Sequence, residues 1–198
     1  RDLENLNKEW IYYPEDFYPR YGRIPEEAEV RLWNVPESTG AFLHWFLSVL
    51  QCRKIVEIGT SAGYSTLWMA DAIKDIDNSK IYSWEIFDIK VEIATKYINE
   101  SGLSNKIEII NENAINFHEK FDENPDVDLI FLDADEENYI KYLPSIEKVL
   151  KRGGVLIADN TVDFGALMIE FINTILNNKS WEAQILDIDN GILLARKI

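Results

Sequence analysis

The sequence predicts an α/β fold in which a mostly parallel sheet carries helices on both faces. Three features predict it. From Arg53 onward, short apolar runs alternate with helically spaced apolar residues; the first run ends in a glycine turn that opens a helix; and the last two runs are separated by the turn signal Asn190-Gly191. Strands alternating with helices form parallel sheets buried on both faces. A closing pair without a helix between its members adds one antiparallel strand at the end of the sheet.

The elements follow in order. Residues 1–23 are polar and aromatic, with Trp10, Tyr12, Tyr13, Phe17, Tyr18 and Tyr21 interleaved with Pro14 and Pro19, and read as an arm lying on the body or on a second subunit. Pro25 with Glu26 and Glu27 marks a helix start, and Pro36-Glu37-Ser38 opens another helix with Phe42, Phe46, Val49 and Leu50 on one face. Strands are expected at Ile55–Ile58, Lys80–Trp84, Ile107–Ile110, Val127–Leu132, Gly154–Ala158 after a Gly-Gly turn, Ala183–Ile188 and Ile192–Ala195. Helices are expected at Tyr64–Ile73, Asp88–Asn99, Tyr139–Leu150 and Phe164–Leu176. Residues 1–50 thus form an arm and helices packing on a core of residues 51–198, within one domain.

Composition narrows the partners. The 198 residues suit one sizeable core. With 35 Asp plus Glu against 20 Lys plus Arg, the formal charge of -15 disfavours nucleic acid and anionic lipid and favours solubility. The single cysteine, Cys52, lies in an apolar stretch, forms no internal disulfide and fits a reducing, cytoplasmic setting. No apolar run reaches membrane-spanning length. The chain starts at Arg1 rather than Met, as a trimmed chain does, and shows no secretory signal.

The chemistry concentrates at two places. The first strand runs into Gly59-Thr60-Ser61-Ala62-Gly63-Tyr64-Ser65, which opens a helix. In an open parallel sheet the ligand crevice lies at the strands' carboxyl ends, and a helix start offers unpaired N–H groups to an anion. Twenty-six positions beyond Gly59 the second strand ends at Glu85, an acid placed to accept both hydroxyls of a ribose. The turn lacks the third glycine of a dinucleotide fingerprint, and Glu57 would crowd a pyrophosphate. S-adenosylmethionine, with an amino acid in place of the pyrophosphate, fits better than a dinucleotide or a bare connecting turn. At the second place, Val127–Leu132 feeds Asp133-Ala134-Asp135-Glu136, and Val155–Ala158 feeds Asp159-Asn160. Asp133, Asp159 and Asn160 supply oxygens suited to Mg²⁺ or another hard divalent cation; capping of the following helices is the alternative use. Two His and one Cys leave no zinc set.

Together these residues resemble the metal-dependent class I O-methyltransferases, the group holding the catechol and caffeoyl-CoA enzymes. The resemblance runs from about Trp33 to Arg196 and rests on Val56–Thr66, on Asp128–Asp135 with Asn138-Tyr139, on Gly153-Gly154 through Asp159-Asn160, and on Asn190–Arg196. It implies a Rossmann-like sheet of seven strands with the last antiparallel, and a homodimer. It implies that Glu57, Gly59, Thr60, Ser61, Gly63 and Ser65 surround the methionine part of S-adenosylmethionine, with Val35 contributing main chain and Asp133 bordering the cofactor. Glu85 would hold the ribose, Ile86 would lie beside the adenine, and Asn113 and Ala114 would meet its edge. Asp133, Asp159 and Asn160 would hold Mg²⁺. Family members commonly carry lysine as proton acceptor where this chain has Glu136, and a longer insertion where it has Thr161–Gly165.

The expected reaction is in-line transfer of the sulfonium methyl to a hydroxyl of a small, catechol-like or phenolic acceptor, with Glu136 accepting the proton or orienting a water, and Asp133 beside it. Methylation of a modified tRNA base and a cofactor-binding regulator without catalysis are the rival expectations. His44 reads as a core or interface residue, His118 as solvated, and Trp68, Trp84 and Trp181 as packing.

Overall fold

The computed structural model describes residues 11–12, 29–30, 32–121 and 126–198. Most of the arm, including the expected helix start at Pro25, lies outside them. Within it, Ile11–Tyr12 pairs antiparallel with Glu29–Val30.

The main sheet has seven strands: β1 Lys54–Ile58, β2 Lys80–Trp84, β3 Ile107–Ile110, β4 Val127–Leu132, β5 Leu150–Ala158, β6 Trp181–Leu186 and β7 Ile192–Lys197. Their spatial order is β3-β2-β1-β4-β5-β7-β6. The pairs β1/β2, β1/β4, β2/β3 and β4/β5 are parallel, while β7 runs antiparallel to both β5 and β6. The antiparallel strand is therefore last in the chain but second from the edge, because the hairpin turns β7 back between β5 and β6.

Among the described residues five helices cover the sheet: α1 Glu37–Leu50, α2 Tyr64–Ala72, α3 Asp88–Ser101, α4 Tyr139–Val149 and α5 Ile169–Leu176. The strand period of two decides which face each residue serves. Ile55, Ile81, Leu129, Phe131 and Ile157 pack toward α1, α2 and α3. Val56, Ile58, Ile130, Leu132 and Leu156 pack toward α4 and α5. At full burial each such side chain contributes roughly 1.5–3 kcal/mol, which is why the strands read as unbroken apolar runs.

Several element ends move from the sequence reading, and a few differences have a clear cause. β5 begins at Leu150, because Gly153 (φ +78°) and Gly154 sit inside the strand at a register shift against β4 rather than in a turn before it. The helix expected from Phe164 starts at Ile169. Residues 161–167 are chained turns, since Val162 and Asp163 donate their N–H groups to Asn190 O and are lost to a helix. Helix α4 ends at Val149. Finally, α1 buries Thr39, Gly40, Leu43 and Leu47, not Val49 and Leu50. Gly40 sets that rotation, because a Cβ there would lie 2.4 Å from Trp68 Nε1.

Candidate active site

The carboxyl ends of β2, β1, β4 and β5 lie side by side, and the residues singled out from the sequence cluster there. At the end of β1 the chain turns through Gly59 with φ +103° and Ser61 with φ +47°. Gly59 admits no side chain, since a Cβ would stand 1.8 Å from the carbonyl oxygen of Asp133. Gly59 N and Thr60 N both donate to Trp84 O, tying the turn to β2. Thr60 Oγ1 lies 2.6 Å from Ser83 Oγ. Gly63, φ +83°, precedes α2 with nothing but backbone at its start.

The two acids of this half serve the turn itself. Glu57 is fully buried, and its oxygens accept hydroxyls from Ser65 (2.5 Å), Thr66 (2.5 Å) and Ser83 (2.5 Å). Burial pushes its carboxyl up to about 7 against the pull of those three hydroxyls. Glu57 and Ser65 thus fasten α2 and β2 to the turn and face each other rather than open space. Glu85 accepts Ser61 N at 2.9 Å and Phe87 N at 3.0 Å, which leaves lone pairs on both carboxylate oxygens. Val35 is buried against the α1 side of the core, and Ile86 is 38% exposed at the rim. Asn113 accepts Ile115 N at 2.9 Å and so caps the short 3₁₀ helix Ala114–Lys120. Asn113 lines a cleft of about 470 Å³ with Trp84, Ile110 and Phe117.

The second half gathers Asp133, Glu136, Asp159 and Asn160. Asn160 Nδ2 lies 3.3 Å from both Asp133 Oδ1 and Glu136 Oε1, and its Oδ1 accepts Asn190 Nδ2 at 3.1 Å. Asn160 itself has φ +64°. Burial holds Asp133 well above the usual carboxylate range, and Asp159, Glu57 and Glu136 add to the rise. Burial likewise raises Asp159 to about 6. Three buried atoms here, Ser61 Oγ, Asp159 Oδ1 and Thr161 Oγ1, have no hydrogen-bond partner among the described residues. Such atoms are rare in folded proteins, and these three follow the carboxyl ends of β1 and β5, Ser61 in the glycine turn and Asp159 with Thr161 beside the acid cluster.

Among the described residues, no three His, Cys, Asp or Glu side chains gather as a ready metal centre. Asp133, Asp159 and Asn160 nevertheless stand together as a hard-oxygen set, with the orphaned Asp159 Oδ1 facing no donor. Their chemistry fits a hard cation once the Asn160 amide turns its oxygen inward.

Sequence reasoning missed Lys90, which is buried on α3 over the Trp33 and Phe87 rings, and Asn190 as the partner of Asn160. Lys90 sits in an ordinary amphipathic pattern that gives no signal. His44, expected in the core or at an interface, is half exposed and pairs with Asp71 at 3.0 Å. His118 bonds Ser145 Oγ at 2.8 Å rather than standing in solvent.

Comparison with known proteins agrees with this geometry. Residues 24–198 match the family model described as O-methyltransferase. A catechol O-methyltransferase of Niastella koreensis is 31% identical over 73% of this chain and 65% of its own length. The tapetum-specific methyltransferase 1 of Arabidopsis thaliana is 25% identical over 90% of this chain and 82% of its own. The chain thus spans just under two thirds of that catechol relative. Among solved structures, an O-methyltransferase from Bacillus cereus in complex with SAH superposes with a TM-score of 0.76 at 24% identity, over 83% of each chain.

Proposed function

The chain belongs to the O-methyltransferase family, and from that premise we propose that it moves a methyl group from S-adenosylmethionine to a hydroxyl of a small catechol-like or phenolic acceptor, assisted by a divalent cation. The observation that carries this reading is the set of orphaned buried atoms, Ser61 Oγ, Asp159 Oδ1 and Thr161 Oγ1, between a nucleoside-suited turn and an acid cluster.

Each half has its task. Gly59 and Ser61 hold main chain open toward the cofactor, and Glu85 keeps lone pairs for the ribose while its other contacts fix the turn. Bound there, S-adenosylmethionine supplies a methyl group on a sulfur that is already a good leaving group. Asp133, Asp159 and Asn160 would hold the cation, which when bound lowers the pKa of a chelated hydroxyl. Glu136, half-buried and one amide away from Asp133, is placed to receive the acceptor's proton, directly or through water. The chain's contribution to rate is alignment and proton removal.

The same reading takes a pair of copies as the working assembly, with Trp45 and Val49 exposed one turn apart on α1, and a cytoplasmic setting. No helix among the described residues is long and apolar enough to cross a membrane. The charge of -15 supports a small acceptor over RNA. Calorimetric titration with S-adenosylmethionine, with and without Mg²⁺, tests the cofactor half; a screen of vicinal diols and phenols tests the acceptor half. Micromolar cofactor binding with methylation of a vicinal diol that chelator abolishes is the expected result. RNA binding that weakens steeply with salt would replace this reading with nucleic-acid methylation.

A further inference from the structure

Pro36 stands at the N-cap position of α1 and offers no side-chain acceptor to the helix start. The acceptor comes from the far end of the chain. Asp189, in the turn between β6 and β7, accepts Ser38 Oγ at 2.6 Å and Thr39 Oγ1 at 2.7 Å, together with the Thr39 N–H. A carboxylate also suits the positive end of a helix. Asp189 has φ +48°, a left-handed conformation that a residue with a side chain keeps where its surroundings impose it. The next residue serves the other side of the turn. Asn190 O accepts Val162 N at 2.9 Å and Asp163 N at 3.2 Å, and Asn190 Nδ2 donates to Asn160 Oδ1 at 3.1 Å. Gly191 closes the turn against Val162, whose Cγ2 would lie 2.3 Å from a Cβ there. The Asn160 side chain meets Asp133 and Glu136 at 3.3 Å each, beyond the usual N–H···O range, so the bond from Asn190 is the shortest it makes.

We propose that Asp189 is a positioning residue for the cation site: anchored by Ser38 and Thr39, it fixes the turn from which Asn190 orients the Asn160 side chain. This rests on the reading of Asp133, Asp159 and Asn160 as the holders of a divalent cation. The first turn of α1 then belongs to the frame of that site, although it lies more than a hundred positions away from Asn160 in the chain. A ligand that can swing out of plane holds a hard cation less well than one kept in place by a partner behind it. Asp189 acts through its bonds rather than its charge. Its carboxylate sits in an exposed turn, where water screens its field, and its lone pairs go to the start of α1.

The test measures Mn²⁺ affinity by electron paramagnetic resonance and S-adenosylhomocysteine affinity by calorimetry, on the full chain. Three forms are compared with the unaltered one: Asp189→Ala, Asp189→Asn, and Ser38→Ala combined with Thr39→Val. Thermal melts check that each is folded. Should Asp189→Ala not fold, the Ser38/Thr39 form carries the test, because it leaves the turn's own residues in place. Asp189→Ala and the Ser38/Thr39 form should each weaken Mn²⁺ about fivefold and leave S-adenosylhomocysteine within about twofold. Asp189→Asn removes the charge but keeps an oxygen for one hydroxyl and an N–H for the other, so it should stay within about twofold of the unaltered chain for both ligands. In an Asn190→Ala chain, adding Asp189→Ala should change Mn²⁺ affinity by no more than about twofold, since the route through residue 190 is already cut. Asp189→Asn as weak as Asp189→Ala would mean that the charge acts and not the position, and overturns the proposal. Unchanged Mn²⁺ affinity in Asp189→Ala or in the Ser38/Thr39 form, or equal losses for both ligands, overturns it too and leaves the cation reading standing. No Mn²⁺ binding by the unaltered chain overturns the cation reading, and this proposal with it.

Discussion

The crossover from β1 to β2 and the adjoining ends of β4 and β5 both bury carboxylates, and they treat them in opposite ways. In the crossover, Glu57 receives three hydroxyls and Glu85 receives two backbone N–H groups. At the ends of β4 and β5, Asp133 and Asp159 raise each other's difficulty, and Asp159 Oδ1 faces no donor. The two acids of the crossover are supplied with donors by the fold alone; Asp159 Oδ1 is supplied only by something that arrives. That difference separates the part of the site that shapes the crevice from the part that waits to react.

The sharpest way to break the comparison is to attack the finished half. Gly59→Ala puts a Cβ 1.8 Å from Asp133 O at a φ of +103°. It is expected to cost more than about 3 kcal/mol and to abolish cofactor binding. Urea denaturation and calorimetry measure both. A stable alanine variant would show that the turn can re-form elsewhere and that β1 and β4 are not locked together.

Next in size is Asp159→Asn, which probes the unfinished half. Asp159 has a folded pKa of about 6 against an ordinary 3.8. A raised acid contributes stability below its unfolded value, and that contribution is lost as pH rises through the folded one. The parent should therefore weaken between about pH 4 and 6, by at most roughly 3 kcal/mol. The asparagine variant should lack that slope and melt higher than the parent at pH 7.5 in chelator. Adding a divalent cation should reverse the order, while cofactor affinity stays within about twofold and methyl transfer drops on the order of a hundredfold or more. A variant that melts like the parent at every pH would mean that Asp159 is already neutralised inside the fold.

Glu57→Gln should behave in the opposite sense. Glu57 rises to about 7 from an ordinary 4.5, so its contribution is present below about pH 4.5 and lost as pH climbs through 7. Three hydroxyls are arranged around an acceptor, and an amide breaks that arrangement. The variant should be less stable than the parent by about 1–2 kcal/mol at pH 5, with the gap narrowing toward pH 8. Thermal melts across that range decide it. A gain in stability at pH 5 would erase the distinction between the two halves.

The same division explains what the sequence discloses. The alternation of strands and helices, the glycine turn and the two acid-bearing strand ends depend on local pattern, and the structure places them as that pattern predicts. The orientation of side chains does not follow from local pattern. Val49 and Leu50 lie on an apolar stripe, yet α1 is rotated by Gly40 against Trp68, a contact between residues distant in sequence. The hydroxyl that Ser83, on another strand, gives to Glu57 is not announced by the run Val56-Glu57-Ile58. Lys90 is unremarkable in α3 until Trp33 closes over it. Each departure comes from a long-range contact that one strand or one helix cannot report.

Asn190 offers the finest probe, because it joins the halves' common frame to a single reactive side chain. The turn between β6 and β7 is fastened on one side to the start of α1, where Asp189 accepts Ser38 Oγ at 2.6 Å and Thr39 Oγ1 at 2.7 Å. On the other side, Asn190 O accepts Val162 N and Asp163 N, and Asn190 Nδ2 donates to Asn160 Oδ1. Alanine at 190 keeps every backbone bond and removes only the amide, so stability should fall by about 1 kcal/mol or less. The Asn190 amide carries both a donor and an acceptor, so it steadies Asn160 whichever way that side chain turns. Without it, Asn160 loses its fixed plane beside Asp133 and Glu136. Manganese affinity, read by electron paramagnetic resonance, should weaken about tenfold while S-adenosylmethionine affinity holds. Equal losses for both ligands would mean that the hairpin turn supports the crevice as a whole, and that Asn160 is oriented by its own left-handed backbone rather than by its neighbour.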